Sequence, residues 1–469
     1  MYEINWDDYL STNRYRTSEK IQKDDLKDER DEFESDFGRV IFSSALRRMH
    51  DKAQVVPLTT GDNVHTRLTH SMEVMNIADS LGANLFRNKE YSNLYGNKSL
   101  NYIRKFSSIL KTAGIVHDIG NPPFGHFGEK IIQNYFKENI SKYDINEDQK
   151  LDFINFDGNA QGFRVLTKLQ YLGDLSGLNL TYTTLAAYLK YPNIGKIEER
   201  IIASKKHGVF TSEKDIFNKI ISNCKLDEKS EHAIIKRHPL SYLIEAADTI
   251  SYAVMDIEDG FSLNCFSYSE LLEELNFDSE IIHKLNLETI KVKSDIKEKK
   301  LVVDFRYKVI QYLVNLAIKN FINYSREIDY GRFQKELVNI DDFSIYKKID
   351  NFSIKFLYNR QEVHKMELIG NSVINGLLDL LIKYVFNDDN KYRDRAKSII
   401  SDNIIKLIYH ESKHKYDNSY FMDSQEYCKL DFKDLDDYSK LRMIVDFISG
   451  MTDKYAVRLY QNLSGQRLD

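Results

Sequence analysis

His117 and Asp118 stand side by side at the end of an apolar run, Ile109 to Val116. An imidazole nitrogen next to a carboxylate oxygen offers two donors to one divalent cation of hard or borderline character. The chain then turns through Gly120-Asn121-Pro122-Pro123-Phe124-Gly125 and continues with His126 and, three residues later, Glu129. Residues at i and i+3 share a helix face, so a helix opening near His126 carries an acid/base pair back beside the His-Asp dipeptide. Adjacent His-Asp pairs are common, and partners elsewhere in the chain decide what this one means.

Two further stretches hold such partners. His70 lies near the start of a segment with helical apolar spacing at Leu68, Met72, Met75 and Ile77; by itself it reads as a helix-terminal histidine. The run from His238 to Glu258 opens on Pro239 and is mostly apolar, yet it carries Asp248, Tyr252 and Asp256 at i, i+4 and i+8, on one face. Carboxylates in such a run are costly to bury unless a cation meets them, and either a metal or an Arg or Lys satisfies that demand. Together His70, His117, Asp118 and Asp248 make a mixed nitrogen/oxygen set with open positions. It suits Mn, Mg, Fe, Ni or catalytic Zn and does not suit a structural thiolate zinc.

These residues need helices to position them, and the composition favours helices. The 469 residues include only five Pro and 20 Gly, too few breakers for a β-rich chain of this size. The expectation is an all-α fold. A net charge of −5 does not announce a nucleic-acid binder. Cys224, Cys265 and Cys428 follow no paired spacing and read as free thiols in a reducing compartment. The first residues, Met1 to Asp8, have no basic and no apolar leader region, and no apolar run approaches the roughly 20 residues of a membrane span. A soluble cytoplasmic protein without membrane contact is expected.

Along the chain, residues 1–35 read as a polar, solvated arm, 36–330 as the core carrying the site, and 331–469 as a helical region that completes the site and makes oligomer contacts. Gln54 and Val55 begin an extended piece. Ser141 to Asp152 reads as a polar linker, and 387–395 and 411–419 as exposed loops. Asn159 and Gln161 sit at a Gly-rich helix start, a usual place for capping, and Lys206 lies in a basic turn.

The order His…His-Asp…Asp resembles the HD-domain phosphohydrolase superfamily. Longer motifs resemble the bacterial deoxyguanosinetriphosphate triphosphohydrolases and wider dNTP triphosphohydrolases. They are Arg67-Leu68-Thr69-His70-Ser71-Met72-Glu73-Val74, the stretch His117 to Glu129, Gly158-Asn159-Ala160-Gln161-Gly162, Glu245-Ala246-Ala247-Asp248 and Ile448-Ser449-Gly450-Met451-Thr452-Asp453. The resemblance implies an all-α HD fold with an added C-terminal helical region. It implies metal-dependent hydrolysis of a dNTP, dGTP foremost, to deoxynucleoside and inorganic triphosphate. Under it, His70, His117, Asp118 and Asp248 hold the metal, and His126, aided by Glu129, acts at the α-phosphate or its water. Arg67, Lys206 and Tyr252 grip the triphosphate, with Asn159 nearby, and Gln54, Val55 and Asp256 surround the deoxyribose. Glu367 falls in a stretch that in relatives helps complete a neighbouring subunit's base pocket. Implied partners are the dNTP, further copies of the chain in a hexamer or tetramer, and single-stranded DNA as a regulator. Other HD proteins hydrolyse cyclic nucleotides, nucleoside monophosphates or guanosine alarmones, and a nucleotide- or DNA-binding oligomer with a vestigial centre is the non-enzymatic rival. Binding alone requires no acid/base pair, so His126 and Glu129 argue for the enzyme.

Overall fold

A chain with few breakers and one apolar stripe per helix buries those stripes by packing helix on helix. The structure, a computed structural model, describes residues 1–16, 29–54, 65–170, 176–228, 235–285, 287, 295–413 and 430–466. Among the described residues there is no strand, and extended pairing is confined to isolated bridges, Arg14 with Thr181 and Ala53 with Thr66. The fold is all-α.

The helices that bear on the site are α1 (Arg67–Arg87), α2 (Ser99–Val116), α3 (Gly125–Asn139), α4 (Gly158–Arg164), α5 (Tyr182–Tyr188), α6 (Pro239–Ser262), α7 (Gln361–Val385) and α8 (Asp437–Ser449). Helix α1 starts at a capping box, with the Thr66 side chain accepting from the Thr69 backbone amide. Helix α6 starts with His238 accepting from the Leu240 amide and Pro239 in the first turn. Helix α1 packs along both α2 and α6. Its approach to α2 is close because two glycines lie between them. A Cβ on Gly114 would stand 3.0 Å from the Met75 Cα, and one on Gly82 would stand 2.6 Å from the Leu110 side chain. That contact brings the His70 end of α1 to the His117 end of α2.

The buried apolar residues form two large clusters. One runs from Ile4 through α1, α2, α5 and α6 to Phe352. The other joins Phe124, α3, Phe153 to Ala160 and Phe210 to α7 and α8. The expected boundary at residue 330 is therefore not where the cores divide. The first core extends past it, and the second reaches back to claim α3. The His-Asp dipeptide closes a helix of the first core, and His126 opens a helix of the second.

Other expectations also change. The solvated arm does not describe residues 1–16: Ile4, Trp6 and Tyr9 are 0–1 % exposed, and Arg14 pairs with Glu32 and Asp36. A sparse set of large apolar side chains in a polar segment suffices to bury it. The expected linker contains a capped helix, Glu147–Ile154. Within the expected loop at 387–395, Asn390–Ile399 is helical and Arg393 bonds both oxygens of Asp431. Among the described residues one helix, α7, is long and apolar enough by length and composition to cross a membrane, a test that a buried core helix also passes. Its Val373, Ile374, Leu377, Leu378 and Leu381 are buried in the second core.

Candidate metal and phosphate site

Asp248 and the two histidines converge. Asp248 Oδ1 lies 3.2 Å from Nε2 of His70 and 3.2 Å from Nε2 of His117. The His70 and His117 rings stand 5.2 Å apart. Asp118 Oδ1 is 3.6 Å from His117 Nε2. Both imidazoles are buried, at 1 % and 4 % exposure. His117 Nδ1 lies 2.9 Å from the Gly114 carbonyl, which only accepts, so Nδ1 carries the proton and Nε2 the lone pair. Among the described residues that Nε2 makes no hydrogen bond, although it faces the Asp248 oxygen. A buried nitrogen lone pair without a donor, beside a second imidazole and two carboxylates, is a donor set that fits a divalent ion.

Each carboxylate keeps its second oxygen on a cation. Asp118 Oδ2 accepts from Arg67, and Asp248 Oδ2 accepts from Lys190. The demand for a cation at Asp248 is thus met by a lysine on one oxygen and left open on the other. Burial raises both carboxyl pKa values, but the neighbouring charges win and hold both below the carboxylate range: His117 and Arg67 for Asp118, Lys190 and His117 for Asp248. His117 is pulled down by burial and pushed up further by Asp248 and Asp118, for a net rise. Arg67 and Lys190 neutralise the two carboxylates, so a bound dication leaves the centre cationic and fit for a polyphosphate.

The turn after Asp118 is shaped by close backbone contact. A Cβ on Gly120 would lie 2.0 Å from the Gly162 amide nitrogen and 2.2 Å from the Gly158 carbonyl. One on Gly158 would meet Asn121 and Glu129, and one on Gly162 the Tyr188 hydroxyl. Phe124 is left-handed (φ 62°), a strained conformation for a bulky residue. Asp453 Oδ1 accepts the Phe124 amide at 3.0 Å, and Asp453 Oδ2 accepts the Ala53 amide at 2.9 Å. Lys52, fully buried, donates to the Asn121 carbonyl and, at 2.9 Å, to the Ser449 carbonyl. Burial pushes its ammonium down to about 7.

This turn launches α3 with His126 and Glu129 on one face. His126 Nδ1 lies 2.8 Å from Glu129 Oε2, and the Gly158 amide donates to Glu129 Oε1 at 2.7 Å. The Glu129 side chain is 8 % exposed and that of His126 68 %. The Glu129 charge raises the His126 pKa. Burial pushes Glu129 up, but His126 and Lys206 bring it below its ordinary value. Lys206 Nζ stands 3.6 Å from Asp157 Oδ2, and Asp157 raises its pKa.

Residues 67–153 match the HD domain family model and residues 412–462 the phosphohydrolase-associated domain model. A deoxyguanosinetriphosphate triphosphohydrolase-like protein of Listeria monocytogenes is 34 % identical, covering 98 % of this chain and all of the relative. Its counterpart in Synechocystis is 33 % identical over 98 % of this chain and 99 % of the relative. The deoxyguanosinetriphosphate triphosphohydrolase of Salmonella arizonae is 30 % identical over 92 % of this chain and 93 % of its own length. The chain belongs to the deoxyguanosinetriphosphate triphosphohydrolase family.

Within that family the protein is an HD-domain phosphohydrolase, and its remaining candidate residues surround the centre to different degrees. Tyr252 presents its ring edge to His70, centroids 6.5 Å apart. Its hydroxyl bonds Tyr358, which also donates to Asp256 Oδ2 at 2.8 Å. Asp256 is 2 % exposed, and burial holds its carboxyl well above the usual range. Asn159 is occupied locally: its amide and side chain both donate to Asp157 Oδ1 at 2.8 and 2.7 Å. Gln54 is half-buried, its Oε1 without a partner among the described residues, and Val55 lies outside them. Glu367 is half-buried on α7, one turn before Gly370, which packs under Phe124. Arg67 is committed to Asp118 and is 3 % exposed.

Lys190, Tyr358, Asp157 and Lys52 were not singled out from the sequence of this phosphohydrolase. The only signal for Lys190 was the open demand for a cation near Asp248. Tyr358 comes from a π-helical segment, Ile354–Tyr358, with no motif of its own.

Proposed function

We propose that the protein is a divalent-metal-dependent dNTP triphosphohydrolase, with dGTP the foremost substrate. The observation that carries the reading is the meeting of Asp248 with His70 and His117, next to a turn that presents the His126–Glu129 pair. His70, His117, Asp118 and Asp248 would hold the ion, Mn or Mg foremost, with Fe, Ni or Zn also suited to the donors. When bound, it supplies Lewis-acid polarisation of the phosphoryl group and a lowered pKa for water.

The chain's own residues do the rest. Arg67 and Lys206 offset the roughly four negative charges of the triphosphate, Arg67 while also steadying Asp118. Water attacks the α-phosphorus, and the bond to the 5′-oxygen breaks. His126, with Nδ1–H on Glu129, gives the proton from Nε2 that the departing 5′-oxygen requires. A raised imidazole pKa keeps that proton available near neutrality. The products are a deoxynucleoside and intact triphosphate. Tyr252 grips the triphosphate with Arg67 and Lys206, Gln54, Val55 and Asp256 surround the deoxyribose, and Asn159 lies near the phosphates. Glu367 serves the base pocket of a neighbouring copy in a homo-oligomer. Exposed Leu368, at 70 %, lies beside it and supports a partner surface on α7.

Incubating the pure protein with each of the four dNTPs and Mn or Mg, and resolving the phosphate products, tests the reading. Triphosphate release is expected, fastest from dGTP. Release of pyrophosphate or orthophosphate in its place overturns it.

A further inference from the structure

The ring nitrogen of His70 that turns away from Asp248 leads into a chain of polar side chains that the reaction does not use. His70 Nδ1 lies 3.4 Å from Ser251 Oγ. Ser251 is wholly buried on α6, one turn beyond Asp248. Its hydroxyl lies 3.2 Å from Glu73 Oε2. Glu73 Oε1 is 3.2 Å from His65 Nε2, and His65 Nδ1 is 2.6 Å from Asp259 Oδ1. Both nitrogens of His65 face carboxylates, so both carry protons and donate.

The directions of these bonds follow from the chemistry of the ends. An ionised carboxylate only accepts, so the one hydroxyl proton of Ser251 goes to Glu73. The Ser251 oxygen can then only accept from His70. His70 Nε2 is within hydrogen-bond distance of Asp248 Oδ1, 3.2 Å, and donates to it unless a cation takes that place. With the proposed ion held there, the imidazole proton of His70 goes to Nδ1, and the Nε2 lone pair is left for the ion. His117 reaches the same state through the Gly114 carbonyl. The two imidazoles are set in one tautomer by different means, a backbone oxygen for one and a side-chain relay for the other.

We infer that Glu73, acting through Ser251, is a positioning residue that holds His70 in its cation-ligating tautomer, with His65 and Asp259 fixing the carboxylate in place. The inference rests on the metal-site reading above. It differs from a packing role for the same residues, because it depends on the direction of a hydrogen bond and not on its presence.

Glu73→Gln separates the two. His65 donates to Oε1, so the introduced amide keeps its oxygen there and turns its NH2 toward Ser251. The hydroxyl then accepts from the amide and points its proton at His70 Nδ1, which drives His70 to the tautomer that cannot ligate. Ser251→Ala removes the relay without reversing it.

The experiment is Mn2+ titration calorimetry on the full-length metal-stripped protein, with the thermal midpoint of the metal-free form as the control for folding. Changing a group that orients a ligand typically weakens metal binding about ten- to hundredfold. That loss is expected for Glu73→Gln, with a smaller loss for Ser251→Ala. Nitrogen shifts of 15N-histidine-labelled protein should show one imidazole changing tautomer in Glu73→Gln alone. Wild-type affinity in a folded Glu73→Gln protein overturns the inference, as do equal losses in both variants that track the fall in thermal midpoint. If Glu73→Gln does not fold, Ser251→Ala decides: weakened Mn2+ binding supports the relay and unchanged binding overturns it. A wild-type protein that binds neither Mn2+ nor Co2+ overturns the metal-site reading itself, and the relay with it.

Discussion

Asp248 Oδ1 stands 3.2 Å from Nε2 of His117, and the other Asp248 oxygen holds the Lys190 ammonium. One carboxylate thus joins helix α6 to the end of α2 and to the segment after α5. Its removal takes away a proposed metal donor and leaves a buried ammonium without this partner. Asp248→Ala and Asp118→Ala are each expected to reduce bound metal to background and to abolish turnover together. Elemental analysis alongside product release checks this; activity retained in metal-free Asp118→Ala protein would break the mechanism.

In the proposed reaction His126 moves a proton and does not hold the metal. His126→Ala should lower kcat by about 10²–10⁴-fold and leave metal content unchanged. Glu129 raises the His126 pKa, so Glu129→Gln lowers it. If His126 acts as the acid, the alkaline limb of the pH–rate profile then moves to lower pH. A limb that stays in place assigns the proton to another group.

Tyr358 reaches the site only through tertiary contact, and its hydroxyl serves both Tyr252 and Asp256. Tyr358→Phe leaves the buried Asp256 carboxyl short of a hydrogen-bond partner, a loss of about 1–3 kcal/mol. Its expected signature is a raised KM for the dNTP with metal affinity unchanged. Parallel loss of metal would place Tyr358 in the wrong role.

Gly120 has backbone on both sides of the space a side chain would fill. Neither neighbour is a flexible side chain that can swing away. Gly120→Ala should cost about 1–3 kcal/mol by overpacking and displace the His-Asp turn, measurable by denaturant unfolding and by metal affinity. A variant as stable and as active as the parent would show that the turn has slack.

His65 links pH to stability. Burial lowers its pKa, but Asp259 and Glu73 outweigh burial and raise it to about 10 from an ordinary 6.5. A folded-state value above the unfolded one means that the contribution is complete below about pH 6.5 and is lost as pH rises through about 10. Thermal midpoints should fall across that window, and Asp259→Asn should flatten the fall. An unchanged slope in the variant would assign the loss to other groups.

Much of the site could be read from short-range pattern. The His117-Asp118 adjacency, the i, i+3 spacing of His126 and Glu129, and the i, i+4, i+8 series on α6 are consequences of helical period, which needs no knowledge of the rest of the chain. The Gly-rich motif at 158–162 was visible too, but its reason was not. Capping accounts for its polar residues, whereas its glycines are required because the Gly120 turn and the Tyr188 hydroxyl press against them.

Residue types and local spacing alone determined the all-helical class, the donors available for a cation and the acid/base pair that accompanies them. Tertiary structure decided that residues 1–16 belong to the core, that the stretch from Phe124 to Ala160 packs in the second core while Ile119 and Phe163 on either side of it pack in the first, and that Lys190 reaches Asp248, Lys52 the Asn121 carbonyl and Tyr358 Asp256. The physical reason is that helical period tells which side chains share a face but not which faces meet. That choice is made by packing over distances that no local pattern records.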